Sequence, residues 1–216
     1  NMGFIPILLG TWKNLVFFFL WTTLVFYLYY YQGLKFISLA FEPLSVIGIA
    51  VSFYLGFKNS QSYDRFWEAR KIWGAIVNYS RTWGIEVLAL VKGSTEDHKT
   101  LIYRHLAWIN VLSVQLRQPN AWSFRSSRSL SRYREGFGEK RTLLEILERF
   151  LPPDESKPLE SRRNTATHLL KNQGLHLDKL LREGRITEFD KLRFHHLLEE
   201  MYNQQGGCER IKNTPF

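Results

Sequence analysis

Residues Asn14–Leu34 read NLVFFFLWTTLVFYLYYYQGL, 21 consecutive positions without a formal charge. At the helical rise this stretch is about 32 Å long, close to the thickness of a hydrocarbon core. Trp12 at one end and Tyr27, Tyr29, Tyr30 and Tyr31 at the other supply the amphipathic rings that sit at membrane–water interfaces. A signal peptide has a shorter apolar core and small residues before its cleavage site, which does not fit here. The reading is a transmembrane helix over about 12–34, in the first of two unlike halves of the chain.

Charge divides those halves. Residues 1–57 contain only Lys13, Lys35 and Glu42, a net of +1, while the remaining 159 residues carry 27 basic and 19 acidic side chains, a net of +8. The overall mean hydropathy of -0.22 therefore averages a water-avoiding head and a water-loving body. The expected division is a transmembrane region at 1–57 and a cytosolic helical region at 58–216.

A second uncharged stretch, Pro43–Phe57 (PLSVIGIAVSFYLGF), has 15 residues and is short for a full span. It runs without proline into a segment of helical spacing that reaches Val91. One long helix from about Pro43, starting in the membrane and emerging from it, accounts for both facts. Lys58, Arg65, Arg70 and Lys71 follow the apolar part, which places that end in the cytoplasm by the positive-inside rule. Ile49, Phe53 and Phe57 recur at i, i+4 and i+8 as one apolar stripe, with Gly48, Ala50, Ser52 and Gly56 between them. Lipid or core packing and a ring of side chains around a pore both satisfy that spacing.

The body reads as helices throughout, so the class is all-α. Helices are expected over LIYRHLAWINVLSVQLRQ, RTLLEILERFL, Asn164–Arg182 and from Thr187 to Gln205, the last with a capping box to Asp190 and a stop at Gly206-Gly207. DESKPLESRR reads as a linker. A Ser/Arg-rich loop, with Arg125, Arg128, Arg132 and Arg134, reads as solvated or lipid-facing. Glu68 has Arg65 and Lys71 at helical spacing and pairs with either. Glu209 and Arg210 read as capping or subunit-contact residues.

Enzyme chemistry finds no foothold. There is no HExxH, no Gly-rich phosphate loop and no nucleophile elbow, and the single cysteine, Cys208, permits neither an intrachain disulfide nor a zinc framework. No catalytic residue, metal or cofactor is expected. The basic residues are scattered among acids rather than striped, which argues against nucleic-acid binding. A membrane-anchored module binding lipid head groups or an acidic partner is the alternative to a pore.

Two segments carry a resemblance. Residues 59–74 (NSQSYDRFWEARKIWG), directly after the apolar part of the second helix, and residues 206–216 (GGCERIKNTPF) resemble signature segments of the bestrophin family, particularly its bacterial members. The resemblance implies a homopentameric ion channel in the inner membrane, multi-pass, with its helical body in the cytoplasm and one central pore for small monovalent ions. It implies that the neck of that pore is formed by Ile49, Phe53 and Phe57. It also implies a cytosolic constriction, for which Thr167 is the better match and Ile186 a second candidate. The family favours an aliphatic residue there, so Thr167 is a departure. Resemblance to bacterial members implies a cation preference. Beyond Pro215-Phe216 it implies a further apolar hairpin and part of the calcium clasp of animal members, so the chain reads as part of a longer one and no calcium gating is read from it.

Overall fold

The computed structural model describes residues 4–38, 41–92, 95–118 and 143–214. The Ser/Arg-rich loop, Ser94, Pro119 and Pro215-Phe216 lie outside the described residues. All the regular elements among the described residues are helices, in the order α1 (Phe4–Tyr30), a 3₁₀ turn (Lys35–Ile37), α2 (Phe41–Leu90), α3 (Thr95–Arg117), α4 (Leu143–Phe150), α5 (Pro153–Glu160), α6 (Thr165–Arg182) and α7 (Glu188–Asn213). They fall into two compact units, 1–61 and 62–216. The division lies inside α2, which stays helical across it because no residue after Pro43 breaks the pattern.

In the first unit α1 stops at Tyr30, short of the expected end at Leu34, and Gly33 turns the chain with φ +68°. A positive φ there suits glycine, which has no Cβ to clash. Thr22 and Thr23 donate their hydroxyls to the carbonyls of Phe18 and Phe19, both at 2.8 Å. Ser52 does the same to Gly48 at 2.8 Å. These polar groups are thus satisfied within their own helix, as an apolar solvent requires. No described side chain from 11 to 61 is buried. Thr11–Tyr30 and α2 are both long and apolar enough to cross a membrane.

The second unit closes a core of its own. Trp83, Leu101, Trp108, Leu112, Leu147, Leu169, Leu177, Phe194 and Met201 are fully buried. Helix α3 is central, packing on α4, α6 and α7. Asn164 caps α6 by accepting from the Thr167 N–H at 3.4 Å, and Gly184, with φ +69°, ends it. At α7 the capping box is complete: Asp190 accepts from the Thr187 N–H at 2.9 Å and the Asp190 N–H donates back to Thr187 Oγ1 at 3.2 Å.

Two expectations for this unit need correction. The polar stretch after Pro152 is a helix, α5, not a linker. Pro153 suits a first helical position, and Asp154 and Glu155 favour the first turn. Pro158 lies inside it and gives up a backbone hydrogen bond, but Ser156 and Leu159 are buried and hold the helix against the core. The second correction concerns α7, which does not stop at Gly206-Gly207 but continues to Asn213. A Cβ at Gly207 would come within 2.9 Å of Ile72 Cδ1, so the missing side chain is what lets α7 approach α2 there.

Candidate functional site

The stripe read from sequence is a continuous face of α2 inside the first unit. Ile49, Phe53 and Phe57 are large apolar side chains that stand 58%, 65% and 67% exposed among the described residues. Ser45 continues their row, and Gly48, Ser52, Gly56 and Ser60 form a parallel row one residue back; together the two rows line a shallow groove. A Cβ added at Gly48 or Gly56 would meet nothing within 4 Å. Knobs beside gaps at helical spacing are the surface that lets neighbouring helices approach closely. The face carries no charged side chain.

The second unit places the two constriction candidates differently. Ile186 is 4% exposed and belongs to the hydrophobic core, so its side chain is spent on packing. Thr167 is half-buried in the first turn of α6. Its Oγ1 accepts from Gln205 Nε2 at 2.9 Å. Gln205 is 1% exposed and fully engaged: the same amide nitrogen donates to Glu209 Oε1 at 2.9 Å, and its Oε1 accepts from Trp108 Nε1 at 3.0 Å. Thr167 is therefore positioned by a residue of α7, 38 positions away.

A seam of polar contacts runs along α2 and α7. Arg65 donates to the carbonyls of Ile211 and Thr214 at 2.6 and 3.1 Å, capping the end of α7. Glu68 pairs with Arg210, rather than with its helical neighbours Arg65 or Lys71, so Arg210 has its partner within the same chain. Tyr79 donates to Glu200 at 2.9 Å, which raises the phenol pKa, and Arg193 meets Glu86 at 2.7 Å. Trp67 and Trp73 remain partly open, Trp67 stacked on Tyr63. Cys208 is half-buried, and burial pushes its thiol pKa up, with Glu209 adding to the shift.

One cluster was invisible to sequence reading. Arg104 of α3, 7% exposed, forks onto Glu155 of α5 with Nε to Oε1 at 2.6 Å and Nη2 to Oε2 at 2.8 Å. Its Nη1 reaches Gln173 Oε1 and His176 Nδ1 on α6, each at 3.1 Å. Burial pushes the Glu155 carboxyl upward, but the Arg104 and Asn172 hydrogen bonds and the Arg104 charge outweigh it and hold the carboxyl below its ordinary range. The one local signal was a lone arginine inside the apolar run LIYRHLAW. Its neighbour His105, packed against the rings of Trp83 and Trp108, is lowered to about 4 by burial. No group of three or more metal-ligating side chains occurs among the described residues.

Comparison with known proteins gives this arrangement a context. A family model described as bacterial/fungal bestrophin protein matches residues 6–216. A voltage-dependent anion channel-forming protein of Ralstonia nicotianae is 30% identical over 182 residues, which is 83% of this chain and 52% of the relative. A protein of the same description from Escherichia coli K12 is 26% identical over 189 residues, 87% of this chain and 53% of the relative. The chain thus spans about half the length of the curated relatives it matches. The crystal structure of a bacterial bestrophin homologue from Klebsiella pneumoniae superposes with a TM-score of 0.70 and 26% identity, over 88% of this chain and 62% of that one.

Proposed function

Because this chain belongs to the bacterial and fungal bestrophin family, we propose that it is a subunit of a membrane ion channel, a homopentamer whose central path is narrowed by rings of Ile49, Phe53 and Phe57. The observation that carries this reading is the bare α2 face, where three large apolar side chains stand exposed in register beside a row of glycines and serines. Five such faces around an axis make a narrow apolar tube. Water leaves such a tube and an ion cannot shed its hydration shell to enter it, so a small widening switches conduction. Membership of the family and two helices long and apolar enough to cross a membrane support a place in the membrane; a multi-pass arrangement in the inner membrane, with the helical body on the cytoplasmic side, belongs to the same proposal. Of the two candidates for a second narrowing, Thr167 is retained, because Ile186 is part of the core.

The sign of the conducted ion is a separate matter. Resemblance to bacterial members implies cations, whereas the curated relatives bear the names of anion channels. The proposed neck has no charge to enforce either sign, so the proposal is conduction of small monovalent ions, with the sign read from the reversal potential. The test is single-channel recording of the complete protein in planar bilayers, beside a triple alanine variant at Ile49, Phe53 and Phe57. Larger conductance in the variant with the oligomer intact is the expected result. Currents equal in the two proteins would remove the neck assignment, and silence from both well-folded proteins would remove the channel.

A further inference from the structure

The Arg104 cluster joins three helices through one guanidinium, and one of its three partners, His176, is a titratable imidazole. Arg104 has only donors, so at the 3.1 Å contact His176 Nδ1 must be the acceptor. The ring is then neutral, with its proton on Nε2. His176 also stands at the rim of an open pocket lined by Arg104, Glu155, Asn172, Leu175 and Lys179, so protons reach it from solvent. The geometry points to a proton-operated latch: neutral His176 completes the Arg104 fork that holds α5 against α3 and α6, and protonation of His176 opens it.

The charges facing His176 come from all three helices. Arg104 of α3 and Lys179 of α6 oppose its protonation, while Asp97 of α3 and Glu155 of α5 favour it. Burial opposes it most strongly, and the balance lies on the side of a lowered pKa. Once protonated, the ring presents an N–H at Nδ1 to the N–H of Arg104 Nη1. Two donors and two positive charges then face each other where one hydrogen bond had been, and the half-exposed ring turns out into the pocket. Arg104 keeps Glu155 but loses one of the two contacts that fix its orientation on α6. Beyond Arg104, helix α5 is held by the buried Ser156 and Leu159 and by Asn172, which donates to Glu155 Oε1 at 2.9 Å, while Pro158 removes one internal hydrogen bond. The loosening passes to the start of α6, because Thr165 Oγ1 donates to the Leu159 carbonyl at 3.3 Å. All of this lies within the second unit and does not depend on the pore reading.

Amide hydrogen exchange of the intact protein in lipid nanodiscs, corrected for the intrinsic pH dependence, tests the latch. Losing a hydrogen bond to a charged group corresponds to about a tenfold change in an opening equilibrium. Residues 153–160 are therefore expected to exchange faster at pH 5.5 than at pH 7.5, by up to about tenfold. The His176→Asn variant, whose side-chain oxygen takes the place of Nδ1 as acceptor and does not titrate, is expected to exchange alike at both. An equal response in the two proteins, whether both accelerate or neither does, overturns the proposal. Nitrogen chemical shifts of the His176 ring in the unmodified protein give a second reading. An unprotonated Nδ1 at pH 7.5 that gains its proton as α5 loosens is the expected result, and a protonated Nδ1 at pH 7.5 overturns it.

Discussion

The two units bury their apolar residues in opposite ways. From 11 to 61 the chain carries a dense run of aromatic and aliphatic side chains, and none of the described ones is buried. From 62 onward the apolar fraction is lower, yet Trp83, Trp108 and Phe194 are enclosed by the chain itself. A helix apolar around its whole circumference has no inside of its own and needs lipid or other helices as its solvent. An amphipathic helix needs only one covered face, and several of them can cover one another. Side chains of one chemical kind thus serve as outer surface in the first unit and as core in the second.

That contrast makes the two units respond to different insults. The largest effect is expected in the core: Trp108→Ala opens a cavity and strands the Gln205 carbonyl oxygen, costing about 3–5 kcal/mol. Phe53→Ala, on the exposed face, is expected to leave the denaturation midpoint in detergent nearly unchanged. Equal losses for the two would erase the distinction between surface and core.

Next in size is the span. Leu24→Arg or Val25→Arg places a charge near the bilayer centre, at about 2.5–3.5 kcal/mol on the insertion scale. The expected outcome is a fall in the membrane-inserted fraction, measured by alkaline extraction. Full insertion of both variants would argue against α1 as a span.

Acid is expected to act on the second unit through His105. The folded pKa of His105, about 4, lies below the ordinary 6.5, so between those values the unfolded chain binds more protons than the folded one. The resulting stability is complete above about pH 6.5 and is lost as pH falls toward 4, about 3 kcal/mol in all. Comparing denaturation at pH 7 and pH 4.5 in the native protein and in His105→Gln isolates this share. An identical loss in both would show that His105 does not carry it. The smallest effect is expected at Gly206→Ala, where a Cβ meets nothing within 4 Å and helix propensity alone adds up to about 1 kcal/mol. A drop in thermal midpoint would reveal a neighbour on that face.

Much of this was legible in the chain because the signals are local. Charge-free length marks a span, a Thr three residues before an Asp marks a helix start, and an i, i+4, i+8 recurrence marks a face. Each depends on residues within a turn or two of one another, so Thr187–Asp190, Asn164, Gly184 and the Ile49–Phe53–Phe57 stripe could all be read without coordinates. The errors came where local preference and distant packing disagree. Pro158 and the polar residues around it read as a linker; Pro153 and the acidic first turn favour a helix there, and the arrival of Arg104 against Glu155, 51 positions away, with the burial of Leu159, holds that stretch as α5. The pair Gly206-Gly207 read as a stop, and only the approach of Ile72 makes it a contact.

The all-α class, the two stretches apolar enough to cross a membrane and the stripe on α2 were thus determined by the sequence alone, through periodicity and charge. The assignment of Ile186 to the core, the hold of Gln205 on Thr167, the pairing of Glu68 with Arg210 and the Arg104 fork were decided only by tertiary structure. The physical reason is one of range: helix propensity and capping act within a turn, while burial and buried hydrogen bonds depend on which distant residues the fold brings to the same few ångströms.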